Sequence, residues 1–91
     1  MVKKLDLQLA VTFLREDNRY IAYSPALDLS TSGKTFEEAK RRFREAAHIF
    51  FEETMANGTI TEVLQELGWK KVQAKWQPPV LISQESIPIS V

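Results

Sequence analysis

The chain has 91 residues, and its 12 basic and 12 acidic side chains give a formal net charge of zero. That balance disfavours non-specific binding to DNA or RNA, in which contacts to phosphates supply most of the affinity. The absence of cysteine excludes disulfides and cysteine-based zinc sites. No run approaches the roughly 18 apolar residues that cross a bilayer, so we expect a cytoplasmic protein that does not bind membranes.

The start of the chain alternates between apolar and polar side chains. Its apolar positions recur at period two, as in a strand with one buried face: Leu5, Leu7, Leu9, Val11 and Phe13. A polar turn is predicted at residues 15–19, and residues 20–23 are the expected hairpin partner.

The next segment contains a proline turn. Pro25 should end the second strand, because proline lacks the N–H that a strand ladder needs. In residues 27–32, Leu27 and Leu29 alternate with polar side chains, which predicts the third strand of an antiparallel meander.

From Phe36 onward the apolar spacing becomes helical. Thr35 and Glu38 form a capping box that predicts the start of the main helix, and Asn57-Gly58 predicts its end. The positions expected to face the sheet form one stripe: Phe36, Ala39, Phe43, Ala46, Ala47, Phe50 and Thr54.

The remaining segments are shorter. Thr59 and Glu62 repeat the capping-box spacing and predict a short second helix that runs to Gly68. Alternation of Val72, Ala74 and Trp76 predicts a C-terminal extended strand, which could pair beside the first strand. Residues 87–91 are expected to be extended at an edge, since Pro88 has no N–H to donate.

These elements predict one domain, residues 1–91, of α+β class in the order β-β-β-α-β. An antiparallel three-stranded sheet should carry the main helix on one face, and a short second helix and a C-terminal extended strand should complete the domain.

Residues that could support catalysis or metal binding are few. His48 is the sole histidine and is expected on a solvated helix face, so a zinc site lacks ligands. The aspartates Asp6, Asp17 and Asp28 do not form the converging set that a two-metal nuclease needs. A basic patch on the main helix is interleaved with glutamates and favours solvated ion pairs over nucleic-acid contact: Lys40, Arg41, Arg42 and Arg44. We therefore expect no catalytic residues, no metal and no cofactor.

The order of strand, proline turn, strand, glycine and capped helix resembles the start of the HicB family of antitoxins. The resemblance rests on Tyr23, Pro25, Gly33, Thr35 and the sequence Glu-Glu-Ala at residues 37–39, and it extends to about residue 53. It implies a partial RNase H fold without its catalysis. It also implies a protein that binds and neutralises HicA, a small mRNA-cleaving toxin.

The chain also departs from the family pattern. Leu29-Ser30 stands where many members have Pro-Gly or a cysteine, and Lys34 replaces a common acidic residue. Many members add a helix-turn-helix or ribbon-helix-helix domain, whereas the residues after 53 fit neither module. We therefore expect no separate DNA-binding domain and no direct DNA binding.

Two surfaces are predicted for partners. The strand-turn-strand segment combines a rigid turn, an aromatic side chain and an acid that suit a small basic toxin: Tyr23, Pro25, Leu27, Asp28 and Leu29. Surplus aromatic side chains predict the interface of a homo-oligomer, a dimer or higher: Phe51, Trp69 and Trp76. A homo-oligomeric HicB-like domain of another role is the alternative to an antitoxin, and an enzyme or nucleic-acid binder is a third class.

Overall fold

A computed structural model describes residues 7–91 of the chain. The first three strands form an antiparallel sheet in the order β1-β2-β3, and the last two form a separate two-stranded sheet. This arrangement confirms the predicted α+β class. The elements in chain order are β1 (Thr12–Glu16), β2 (Arg19–Ser24), β3 (Leu29–Gly33), α1 (Phe36–Ala56), α2 (Ile60–Glu66), β4 (Lys70–Val72) and β5 (Lys75–Gln77).

The first hairpin is tighter than the sequence predicts. Glu16 pairs with Arg19, so the turn is only Asp17-Asn18, and Asp17 has the left-handed φ of 54° that aspartate tolerates. The prediction that the first strand starts at residue 5 is wrong over the described residues, because 7–11 form no strand. Thr12 pairs with Tyr23, so β2 extends only one residue further, to Ser24, and has no residues opposite 7–10. Leu5 lies outside the described residues.

The second connection is a turn over residues 25–28. The Asp28 N–H donates to the Pro25 carbonyl at 3.3 Å, and Asp28 adopts a φ of 49°. The predicted start of the third strand at Leu27 is therefore wrong, because β3 begins only at Leu29, opposite Ser24.

The start of α1 is capped as predicted. The Glu38 N–H donates to Thr35 Oγ1 at 3.0 Å, and the Glu38 carboxylate accepts from the Lys34 N–H at 2.9 Å. That backbone hydrogen bond, with help from the nearby Arg42 charge, lowers the pKa of Glu38. The contribution of Glu38 to stability is therefore present above its ordinary pKa and is lost as the pH falls through the lowered value.

One face of α1 packs on β2 and β3 and forms the core. Ala39, Phe43 and Ala47 are buried there against Ala22 of the sheet. The predicted stripe is wrong at its first position, since Phe36 is 41% exposed. This first helical residue lies at the border of the sheet, beside the ring of Phe13 at 4.6 Å.

The two helices end in the same way, with a glycine just past the last turn. At the end of α1, the Thr59 N–H donates to the Thr54 carbonyl at 2.9 Å. Thr59 has a φ of −105° and its side chain makes no capping bond, so the second predicted capping box is wrong. At the end of α2, Gly68 has a φ of 90° and the Trp69 N–H donates to the Leu64 carbonyl at 2.9 Å. This closure turns Trp69 back toward the core.

The C-terminal segment is a hairpin, so the prediction of one extended strand is wrong. β4 pairs with β5 through a turn at Gln73-Ala74, whose φ angles are 50° and 65°, and not with the first strand. Residues 78–91 have no regular secondary structure. The extended piece expected at 87–91 therefore pairs with no strand among the described residues.

Gly33→Ala should destabilise the domain more than Gly58→Ala. A Cβ at residue 33 would lie 2.6 Å from the Ala39 backbone nitrogen, which would push the start of α1 off β3 at a cost of about 3 kcal/mol. A Cβ at residue 58 meets nothing within 4 Å, so only the left-handed backbone costs energy, about 1 kcal/mol. Urea unfolding followed by circular dichroism measures both, and equal losses would contradict the close packing at Gly33.

Candidate functional site

The face of the sheet opposite α1 carries apolar side chains that the core does not use. We call it the open face, and it includes Thr12 and Leu14 of β1, Ile21 and Tyr23 of β2, and Ser30 and Ser32 of β3. The strand register places Leu14 beside Ile21 and Thr12 beside Tyr23. Leu14 is 49% exposed, and Ile21 and Tyr23 are half-buried. None of the three belongs to the apolar cluster around Ala22. An apolar strip of this kind is suited to contact with another protein.

The most specific feature of the open face is a tyrosine tied to an exposed acid. The Tyr23 hydroxyl donates to Asp28 Oδ1 at 3.0 Å. This hydrogen bond, together with partial desolvation and the carboxylate charge, raises the pKa of Tyr23 above its ordinary value of 10.0. The phenol ring and the carboxylate are therefore presented as one oriented pair at the end of the sheet.

The turn that carries Asp28 is fixed from below by a tryptophan. The Trp69 indole Nε1 donates to the Ala26 carbonyl at 2.7 Å, and Trp69 is 3% exposed. Ala26 and Leu27 are both buried. Because the middle of the turn is packed into the core, its two exposed ends, Pro25 and Asp28, are held in place.

The five residues predicted to bind a partner differ in their exposure. Pro25 and Asp28 are exposed, and Tyr23 is half-buried on the open face. Leu27 is 4% exposed and Leu29 packs against the core, so these two do not offer a binding surface in this conformation. Their side chains lie on the core side because the turn folds inward and Leu29 pairs with the buried Ser24.

The three residues predicted for an oligomer interface also differ in their exposure. Placing Trp69 at an interface is wrong, since its indole is buried and bonded within the chain. Phe51 is half-buried, with its ring edge-on to Trp69 at 6.2 Å between centroids. Trp76 is half-buried on the border of the core, with the Lys71 ammonium 5.5 Å from its ring centroid. Phe51 and Trp76 therefore retain some accessible surface.

The charged residues of α1 form pairs on an exposed surface. His48 lies 3.3 Å from Glu52, and both side chains are exposed. Arg41 and Arg42 lie within 4.0 Å of Glu45 and Glu38, respectively. Ion pairs of this kind contribute little to stability. They agree with the expectation of a solvated helix face.

The two described aspartates that were considered for metal binding lie far apart. Asp17 and Asp28 sit in the turns at opposite ends of β2, a strand of six residues that spans roughly 20 Å. Asp6 lies outside the described residues. Within residues 7–91, no group of three or more histidine, aspartate or glutamate side chains could hold a metal ion.

Leu14 and Ile21 are the part of the site that the period-two reading of the sequence misses. Each follows an apolar neighbour, Phe13 and Tyr20, so both faces of the hairpin carry apolar residues. In an antiparallel strand with one solvated face, polar residues normally alternate with apolar ones. Apolar residues on both faces are therefore the sequence signal that could have revealed the open face.

Comparison with models of protein families, with curated proteins and with solved structures finds no match to this chain. In the part of the chain that the structure describes, no helix combines the length and apolar character needed to span a membrane. The resemblance to HicB antitoxins therefore rests on the sequence pattern of residues 20–53 alone.

Trp69→Phe should destabilise the domain by about 2 kcal/mol, because it leaves the buried Ala26 carbonyl without a donor while most of the ring volume is kept. Trp76→Phe is the matched control and should cost less, since Trp76 is only half-buried and the change leaves the Trp69–Ala26 hydrogen bond in place. Chemical unfolding followed by circular dichroism compares the two. If Trp76→Phe lowers the free energy of unfolding as much as Trp69→Phe does, the Trp69–Ala26 hydrogen bond does not stabilise the turn as described.

Asp28→Asn should lower the pKa of Tyr23 toward 10.0, because it removes the carboxylate that accepts the hydrogen bond from the Tyr23 hydroxyl and whose charge opposes ionisation. Asparagine tolerates the left-handed backbone of residue 28. Ultraviolet absorbance of tyrosinate, measured in a Tyr20→Phe background, isolates the ionisation of Tyr23. Because folding raises the pKa of Tyr23, the Tyr23–Asp28 pair stabilises the wild-type fold fully below pH 10. This contribution to stability is lost as the pH rises through the pKa of Tyr23 in the folded protein. An unchanged midpoint would contradict the Tyr23–Asp28 hydrogen bond, and Asp17→Asn is the control.

Proposed function

We propose that this chain is a cytoplasmic protein-binding module of the HicB antitoxin type, which neutralises a small basic HicA-type toxin. The observation that carries the proposal is the Tyr23–Asp28 pair at the end of the open face. It combines an oriented aromatic ring with an exposed carboxylate on a turn that Trp69 fixes from below. The order of three antiparallel strands and a capped helix agrees with the fold that the resemblance implies.

The chemistry of this surface suits a basic protein partner. Leu14 and Ile21 supply apolar contact area beside Tyr23, and Asp28 supplies negative charge at the border. A central apolar cluster with a charged rim is the usual composition of a protein interface. The charged rim would speed association with a basic toxin and orient it.

The proposed role is non-catalytic. The two described aspartates that could serve a nuclease, Asp17 and Asp28, lie at opposite ends of β2. The basic residues of α1 are interleaved with glutamates, which disfavours a nucleic-acid groove. Inhibition would then come from covering the surface of the toxin.

A homo-oligomeric domain with another role is the second candidate. Its support is the large exposed apolar surface at the end of the described chain, where Ile82 is 93% exposed and Ile89 is 79% exposed. Such a surface on so small a chain favours association with another protein molecule. The two proposals are compatible, since an antitoxin could also be an oligomer.

Asp28→Arg should weaken binding to the toxin by at least about tenfold, because it reverses the charge at the rim and releases Tyr23. The measurement is titration calorimetry with a small basic HicA-type toxin, purified as an inactive variant. Toxin neutralisation in coexpressing cells is the functional readout.

Asp17→Arg is the matched control. Like Asp28, Asp17 lies in a turn between two strands and has a left-handed backbone. The φ angles are 54° at Asp17 and 49° at Asp28, so arginine should cause similar backbone strain at the two positions. It sits at the far end of β2 and should leave binding unchanged. Equal effects of the two variants would show that the partner surface is elsewhere, and the absence of any binding by the wild type would overturn the antitoxin proposal.

A further inference from the structure

The last residues of the described chain form an exposed apolar segment, which we call the tail, residues 79–91. Its aliphatic side chains are half to almost fully exposed: Val80, Leu81, Ile82, Ile87, Ile89 and Val91. Glu85 is the single charged residue of the tail. Six exposed aliphatic side chains within thirteen residues are far more than scattered surface positions normally supply.

The end of the tail has the pattern of an edge strand. Ile87, Ile89 and Val91 alternate with Pro88 and Ser90. In an extended strand, alternate residues direct their backbone N–H and C=O groups to the same side. A neighbouring strand that pairs with Ile87 and Ile89 would therefore lie on the side opposite to Pro88, where no N–H is required from the proline. Such a strand can join the border of a sheet on one side only.

Among the described residues β1 pairs only with β2, so its outer edge has no strand partner there. The two-residue turn makes Glu16 and Arg19 a hydrogen-bonded pair, so the alternate residues Phe13 and Arg15 direct their N–H and C=O groups outward. The outer edge of β3 is less accessible, since the Arg42 guanidinium donates to the Ser32 carbonyl at 3.1 Å.

An apolar surface lies beside the outer edge of β1. If a strand is added to β1, its residue opposite Phe13 has its side chain on the same face of the sheet as the Phe13 ring. The alternate residues of the added strand share that face. That ring lies 4.6 Å from the ring of Phe36, which is 41% exposed. Ile87 and Ile89 would therefore cover Phe13 and Phe36 while their backbone completes the ladder.

We propose that residues 87–91 of one copy add as a fourth strand along β1 of a second copy, and that the exchange is reciprocal. Within one copy the tail pairs with no strand among the described residues, and Ile89 is 79% exposed. Six aliphatic side chains, Ile87, Ile89 and Val91 of each copy, at roughly 60–120 Å² each, would remove about 350–700 Å² from water, and the receiving edges would lose a similar area. Stable protein interfaces bury about 1,200–2,000 Å² in total.

This inference specifies the interface of the proposed homo-oligomer and does not depend on the toxin. Light scattering over a concentration series should give twice the chain mass of 10.5 kDa for the wild type. Ile89→Lys should raise the dimer dissociation constant by at least about 100-fold, since it removes a buried aliphatic side chain from each of the two exchanged tails. Ser90→Lys is the matched control on the opposite face of the strand and should leave the dimer intact. Both residues are exposed in a single copy, so neither change threatens the fold.

A disulfide test identifies the partners directly, because the natural chain has no cysteine. Arg15→Cys and Ile89→Cys chains, mixed and mildly oxidised, should form a disulfide-linked heterodimer, whereas Asp17→Cys with Ile89→Cys should not. A monomeric wild type would overturn both the oligomer and the exchanged strand. A dimer that is insensitive to Ile89→Lys, or a mixture of Arg15→Cys and Ile89→Cys chains that forms no linked heterodimer, would overturn the exchanged strand and leave the oligomer standing.

Discussion

The hydrogen bond from the Trp69 indole to the Ala26 carbonyl joins residues 43 positions apart and connects the end of α2 to the turn between β2 and β3. Its donor and acceptor are both buried, so losing either partner would leave a polar group without compensation. The indole also packs edge-on against Phe51 of α1. The proposed site depends on this contact, because the buried middle of the turn fixes the position of Asp28 and, through it, the Tyr23 hydroxyl.

Local signals in the sequence predicted much of the fold. The capping box at Thr35 and Glu38 gave the start of α1 correctly, and Asn57-Gly58 gave its end, because both depend on backbone groups within one helical turn. The pairing of strands was less predictable. Residues 7–11 keep the alternation of a strand, yet β2 ends at Ser24 and has no residues opposite 7–10. The last hairpin was missed because its turn, Gln73-Ala74, lacks the asparagine and glycine that normally mark such turns.

The candidate site was predicted only in part, for a related reason. Exposed Pro25 and Asp28 and the half-buried Tyr23 remain on the surface, whereas Leu27 turns inward. Periodicity cannot anticipate this, since the direction of a turn residue is set by what packs beneath the turn. Trp69 was misplaced for the same reason: an aromatic residue just after a glycine gives no indication of whether it points to the core or to solvent.

The turn of the β4–β5 hairpin has a consequence for local opening. Gln73 and Ala74 hold left-handed backbones without the help of glycine, at roughly 1–2 kcal/mol each, and the hairpin has only three residues in each strand. Val72 is 44% exposed, so little apolar burial offsets that cost. The amide protons of this hairpin should therefore exchange with solvent through local fluctuations, well before those of β2 and α1. Each opening would lengthen the chain between the domain and its last residues, and so extend the radius over which they can capture another molecule.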